Sequence, residues 1–322
     1  MGKLQPAPLD ISFKLSGNTS QVSKYIDLSQ CASLINRRFY RQSLDWAVTG
    51  FSLYTEGGEY GSVVIEKLPD TWPCDNAYTK AYHAWKDQQD AVVEESGAES
   101  AVAKFRDFKI FMDGVHATTG VAGNLLPAHQ GTPGVTGHLQ YGGGGWPIGE
   151  WEASQIVLPN VAADGSGSVV DPAEYTMHMV GANTVGTSRG IIDGYSMSRS
   201  YPQSPDPVSP DIGHWDNWMG RMTDVGKDNP DILDNATDKN DDLPYDQDSY
   251  PGGDAVSDVL QHVDTHRSAV TFANHSKTSL RGGVFKCGLI KCSFTIASGT
   301  HWYLVAHLAP GSHRGYMAQS GL

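Results

Sequence analysis

Apolar and polar side chains alternate along this chain in short runs, set apart by clusters of glycine, proline, serine and aspartate. Ile11-Ser12-Phe13-Lys14-Leu15 puts its apolar groups on one face, the period of a half-buried strand, and stops at Ser16-Gly17-Asn18. Trp46 to Tyr54 and Ser62 to Leu68 repeat the pattern. Between them Thr55-Glu56-Gly57-Gly58-Glu59 predicts a tight hairpin, since glycine supplies the positive φ such a turn needs. Further strands are predicted over Phe105 to Met112, Ser154 to Leu158, Glu174 to Val180, Gly190 to Ser198, Ala269 to Ala273, Gly283 to Ile296 and His301 to Leu308. Parity slips between Cys287 and Ile290, so a bulge or turn is expected at Gly288. Turn clusters about 8 to 15 residues apart predict an all-β fold, a sandwich or barrel.

Helical spacing interrupts this pattern in three places. Leu28, Cys31, Leu34 and Ile35 define a helix from Asp27 to Asn36 with Asp27 as its N-cap. Tyr78, Ala81, Tyr82, Trp85, Gln89 and Val92 define an inserted helix over 75–96, capped by Asp75 and ending near Ser96-Gly97. Trp215, Trp218, Met219, Met222 and Val225 mark a short third one closed by Gly226. Residues 114–149 are glycine-rich and read as a long loop holding one short strand near Val135 to Tyr141. Residues 200–254 form a Pro/Asp-rich insertion. Within it, ten aspartates between Asp224 and Asp254 face only Lys227 and Lys239, a charge density that cannot enter a core and predicts a displayed loop. No internal repeat or linker divides the chain, so 1–322 reads as a single domain.

Composition narrows the chemistry. A net charge of -13 argues against a dedicated nucleic-acid-binding domain, though not against a local basic patch. Cys31, Cys74, Cys287 and Cys292 lack zinc spacing and read as buried thiols. No run approaches the roughly 18 apolar residues of a membrane span, so the chain reads as soluble with no membrane partner. A phosphate-binding Gly-Lys-Ser/Thr loop and a Gly-x-Ser-x-Gly elbow are both absent, and the chain is expected not to be an enzyme.

Three groups of residues carry candidate chemistry. Arg37, Arg38 and Arg41, interleaved with Phe39 and Tyr40, are candidates for pairing phosphates and stacking unpaired bases. Asp238, Asp241, Asp242 and Asp246 offer hard oxygen ligands to Ca²⁺, without the glycine and closing glutamate of an EF-hand. Trp146, Glu150, Trp151 and Glu152 suit a carbohydrate-binding or carbohydrate-active β-sandwich, with tryptophans to stack on sugars and two carboxylates on one side of a strand. His262 and His266 would share a face if helical, but Val263-Asp264-Thr265 favours extended structure.

A set of scattered motifs in order gives a resemblance. Tyr25-Ile26-Asp27-Leu28-Ser29-Gln30 runs into Asn36-Arg37-Arg38-Phe39-Tyr40-Arg41-Gln42; Leu68-Pro69-Asp70-Thr71-Trp72, Asn240-Asp241-Asp242-Leu243-Pro244-Tyr245-Asp246 and Tyr250-Pro251-Gly252-Gly253 follow. Together they resemble capsid (coat) proteins of environmental circular single-stranded DNA viruses that encode a replication initiator. The resemblance implies a single jelly-roll protein of the virion, a self-assembling icosahedral shell around a circular single-stranded DNA genome, with copies of itself as partners and no named host receptor. Many such proteins begin with an arginine-rich arm, whereas 1–17 here holds only Lys3 and Lys14. Either DNA contact then falls to Arg37, Arg38 and Arg41, or packaging leans on counter-ions.

Overall fold

The computed structural model describes residues 7–55, 60–97, 106–128, 146–158, 173–182, 184–198, 259–268 and 276–320. The acidic stretch with its Ca²⁺ candidates, the helix expected at Trp215 to Val225, and the strands expected at Ala269 to Ala273 and Val135 to Tyr141 lie outside the described residues.

A long two-stranded ribbon organises the body. β1 (Asp10–Asp27) and β11 (Leu289–Leu308) pair antiparallel from Asp10 opposite His307 to Asp27 opposite Leu289, with register slips between Ser16 and Val22. A strand has two edges, so β2 (Leu44–Thr55) and β3 (Gly61–Lys67) share the one β1 leaves. β2 lies against Tyr303 to Leu308, and β3 against Ile290 to Ile296. β9 (Gln261–Ser268) extends β3, β10 (Ser276–Phe285) extends β2, and the short β12 (Ala318–Ser320) also joins β2. Every pairing in this seven-stranded sheet is antiparallel.

Both strands of the expected hairpin exist, yet no ladder joins β2 to β3 among the described residues, because each pairs β11 instead. The two ends of the ribbon nevertheless share one core. Phe13, Trp46, Phe51 and Leu304 are buried in the same cluster as Val63, Ile65, Ile290 and Phe294, so the sheet curls over on itself. Trp302 marks the closure: the ring of His266 on β9 lies 6.1 Å away, and a methyl added at Gly61 of β3 would come within 2.5 Å of the indole. The body is of the all-β, jelly-roll class. The expected turn lies between β10 and β11, where Cys287 (φ 55) and Gly288 (φ 64) are left-handed and Gly288 sits tight under Trp46.

A second, five-stranded sheet carries the helices. β4 (Phe111–Asp113), β6 (Ala173–Val180) and β8 (Ser188–Gly190) pair parallel, while β5 (Gln155–Leu158) and β7 (Thr184–Val185) add antiparallel edges. This mixed sheet was not expected. α2 (Trp72–Ser96) buries Ala77, Tyr78 and Trp85 against Phe108, Ile110, Met177 and Ile191, in a second core that β1 and β11 join through Tyr25 and Leu289. Gln88 of α2 reaches the outer edge of β5, where its amide accepts from the N–H of Val157 at 3.1 Å and donates to its carbonyl at 2.8 Å.

Several boundaries differ from expectation. α2 starts at Trp72 rather than at residue 75, since Pro73 suits a first turn whose N–H groups need no partner, and Asp75 pairs with Lys286 instead of capping. Its end at the left-handed Gly97 is as predicted. Among the described residues of the strand expected over Phe105 to Met112, only Phe111 and Met112 join a sheet, as part of β4, because side chains take the place of a ladder before them: Ile110 N–H donates to Gln42 Oε1 at 2.6 Å and Lys109 N–H to Ser154 Oγ at 2.9 Å. Residues 191–198, expected as strand, form α4 (Ile191–Ser198), with Ile191 and Ile192 both buried. The expected loop at 114–149 opens with α3 (Gly114–Thr119), capped by Asp113. All four cysteines are buried free thiols. No helix among the described residues is long and apolar enough to cross a membrane.

Candidate nucleic-acid interface

The site starts from the end of β1. Asp27 caps α1 (Leu28–Asn36) as expected, its Oδ1 accepting from Ser29 N at 2.9 Å and Gln30 N at 3.1 Å. The helix stops where Arg37 turns left-handed (φ 51, ψ 39), and the run Arg37 to Arg41 doubles back. Ser33 Oγ accepts from Tyr40 N at 2.9 Å, Ser29 Oγ donates to the Arg41 carbonyl at 3.0 Å, and Gln42 N donates to Asp107 Oδ2 at 2.8 Å, so both faces of the run are pinned.

Arg37, Arg38 and Arg41 are exposed and Phe39 is half-buried. Tyr40 corrects the expectation. It is fully buried, packed 5.8 Å from the Trp46 ring and 5.6 Å from that of Tyr316, and no base can stack on it.

The carbohydrate candidates come to the same surface. Residues 146–154 form no strand, so Glu150 and Glu152 do not share a side by strand alternation; both are exposed. The guanidinium of Arg37 lies 4.9 Å over the ring of Trp146. Trp151 donates its indole N–H to Asp27 Oδ2 at 3.1 Å and sits 6.3 Å from Phe39. Lys109 Nζ completes the cluster, 4.8 Å from the Trp151 ring and 5.9 Å from that of Phe39. Arg314 flanks it, donating to the Phe39 carbonyl at 2.7 Å. Two stretches more than a hundred residues apart thus build one platform of aromatic faces overlaid by cations.

Cations outnumber acids at this surface, where Arg37, Arg38, Arg41, Lys109 and Arg314 stand beside the exposed Glu150 and Glu152. Among the described residues, none of Arg37, Arg41, Lys109 or Arg314 forms an ion pair, while Arg106 next to Arg41 is matched by Asp90 at 2.7 Å. Two buried acids lie underneath. Burial raises the Asp27 carboxyl to about 6, against the pull of hydrogen bonds from Gln30, Gln42 and Ser29, and burial likewise raises Asp107. Gln42 joins the two, donating its Nε2–H to Asp27 Oδ2 at 3.0 Å.

A polar chain leads inward from the cap. Gln30 accepts from Asn124, whose Oδ1 meets Nε2 of His116 at 2.7 Å. His116 Nδ1 accepts from Met112 N at 3.1 Å, which leaves Nε2 as the protonated nitrogen of a neutral ring, and burial holds its pKa down to about 4. The ring stacks on Tyr25 at 4.0 Å, and Tyr25 O–H donates to Asp113 at 2.6 Å, where Lys291 also pairs at 2.8 Å.

Lys109, Arg314, Asp27 as anchor of Trp151, and Gln42 were not singled out by sequence as parts of the site. Lys109 stood in an apparent strand and Arg314 in no pattern at all, so only folding brings them beside Phe39. Among the described residues no group of three or more histidine, cysteine, aspartate or glutamate side chains is placed to hold a metal ion. His262 and His266 lie on extended β9 and diverge, one meeting Thr265 and the other Trp302. Comparison with known protein families, with curated proteins and with solved structures finds no match.

Proposed function

We propose that this chain is a coat protein whose jelly-roll body assembles with copies of itself into an icosahedral shell, and that the platform of Arg37, Phe39, Lys109, Trp146 and Trp151 faces an enclosed circular single-stranded DNA. The observation that carries the reading is the cation-covered aromatic cluster itself. Unpaired bases offer π-faces to Trp146, Trp151 and Phe39, and phosphates meet Arg37, Arg38, Arg41 and Lys109, the two contacts that single-strand binding without base readout requires. That cluster stands out against a chain whose net charge is -13. The motif resemblance supplies the shell and the genome type, and the curled antiparallel body is compatible with both.

Electron microscopy of the full chain expressed alone tests assembly, and closed particles of uniform diameter are expected. A monodisperse monomer across salt and Ca²⁺ concentrations overturns the coat-protein reading. Retention on single-stranded DNA tests the platform separately: binding should weaken with salt and fall when Arg37, Arg38 and Arg41 are changed together.

A further inference from the structure

Away from the platform, α2, α4 and the second sheet line an open-mouthed cavity of about 540 Å³. Its existence follows from the sequence of α2, which places Ala77, Ala81 and Ala84 four and three residues apart on one helical face. Gly190 of β8 and Gly194 of α4 also line it and add no side chain to fill the gap. Ile156 and Leu158 of β5, Met177 of β6 and Ile191 complete an apolar wall.

Among the described residues, the polar side chains that line it are Lys80, Arg189 and Tyr195. Arg189 is held at the margin, its guanidinium 4.2 Å from the Tyr175 ring and one terminal nitrogen donating to Thr184 Oγ1. Its Nε is buried with no hydrogen-bond partner. Buried N–H groups are rarely left so, and a small turn of the guanidinium toward the cavity would offer this one to an acceptor bound there. Lys80 Nζ, 5.8 Å from the Tyr195 ring, adds a second positive charge at the mouth.

We propose that this cavity binds an amphipathic anion, a long-chain carboxylate whose hydrocarbon lies along Ala77, Ala81, Ile156 and Met177 and whose head group pairs with Arg189. The volume is within the range of roughly 300 to 1,000 Å³ typical of small-molecule sites, and apolar walls with a few convergent polar groups are their usual lining. A planar carboxylate matches the fork of an arginine. The charged lining among the described residues, Arg189 and Lys80, favours an anion over a neutral or cationic amphiphile. This site is separate from the platform, and it stands whether or not the chain assembles.

The test is titration of the full chain with 11-(dansylamino)undecanoic acid, followed by emission, with palmitate and hexadecanol as competitors. Saturable enhancement is expected, displaced by palmitate at least tenfold more effectively than by the alcohol. Ala81→Trp, which fills the floor, should weaken probe binding at least tenfold. Arg189→Met keeps the stem against Tyr175 and should remove the preference for palmitate while leaving hexadecanol unchanged. It keeps the test decisive if Ala81→Trp fails to fold. No enhancement, equal displacement by acid and alcohol, or an undiminished preference for palmitate in Arg189→Met overturns the proposal.

Discussion

Trp151 donates its indole N–H to Oδ2 of Asp27 across 3.1 Å, so an aromatic of the surface platform is fastened to the carboxylate that begins α1. The same oxygen receives Gln42 Nε2–H, and the other oxygen receives two backbone N–H groups. One buried acid therefore sets the helix start, the course of the arginine run and the seat of the tryptophan.

Asp27→Asn should separate these roles. Asparagine caps helices well, but with its oxygen on Ser29 and Gln30 its amide N–H₂ would face two other donors, Gln42 Nε2 and Trp151 Nε1. Leaving those donors unmatched is expected to cost about 1 to 3 kcal/mol in urea unfolding and to release Trp151. Indole fluorescence should then be more readily quenched by acrylamide, and an unchanged quenching profile would show that the bond does not hold the ring.

Acidification should pull in two directions. Asp27 is raised from its ordinary 3.8 to about 6, so the stability it contributes is fully present below the lower value and lost as pH rises through about 6. His116 is lowered from 6.5 to about 4, so its contribution is present above the upper value and lost as pH falls through about 4. Between pH 4 and 6 the two oppose, each by at most about 3 kcal/mol. Urea midpoints stepped through this window should show Asp27→Asn losing stability on acidification more steeply than the parent chain, and His116→Gln less steeply.

Salt dependence should sort the platform by contact type. Changing Arg37, Arg38 and Arg41 together to glutamine should lower the slope of log K against log salt by about 2 on single-stranded DNA, at roughly 0.7 per phosphate contact. Trp146→Ala should cost about 1 to 3 kcal/mol of binding with the slope nearly unchanged, as lost stacking does. Tyr40→Phe should alter neither, since that ring is buried. Equal slopes in the triple variant and the parent would place DNA elsewhere.

Gly61→Ala should measure how tightly the sheet closes. The new methyl would meet the Trp302 ring at 2.5 Å and the Thr295 carbonyl at 2.8 Å, whereas a methyl at Gly283 meets nothing within 4 Å. A loss of about 1 to 3 kcal/mol is expected for the first and little for the second, by thermal or urea unfolding.

Local signals were legible where one residue decides the backbone. Asp27 announced α1 and the glycine after Ser96 announced the end of α2; the parity slip at Gly288 marked a real turn. Pairing was not legible, because the glycines after Thr55 argue only for a change of direction, and the partner chosen by β2 and β3 lies more than two hundred residues on. Ile191-Ile192 read as strand because β-branched residues favour one, but packing of both against α2 and the second sheet outweighs that preference. The arginine half of the platform was visible in sequence; its union with Trp146, Trp151 and Lys109 required a fold that no spacing rule encodes.

The side chain of Gln88, by holding both backbone groups of Val157, stands in for the strand that would otherwise sit beside β5. An exposed rim of this kind invites another molecule to zip on, and repeated addition of that sort runs on without end instead of closing. Were the subunit to stop at a finite shell as proposed, this single amide on α2 would act as a guard against fibres, and Gln88→Ala would free both backbone groups of Val157.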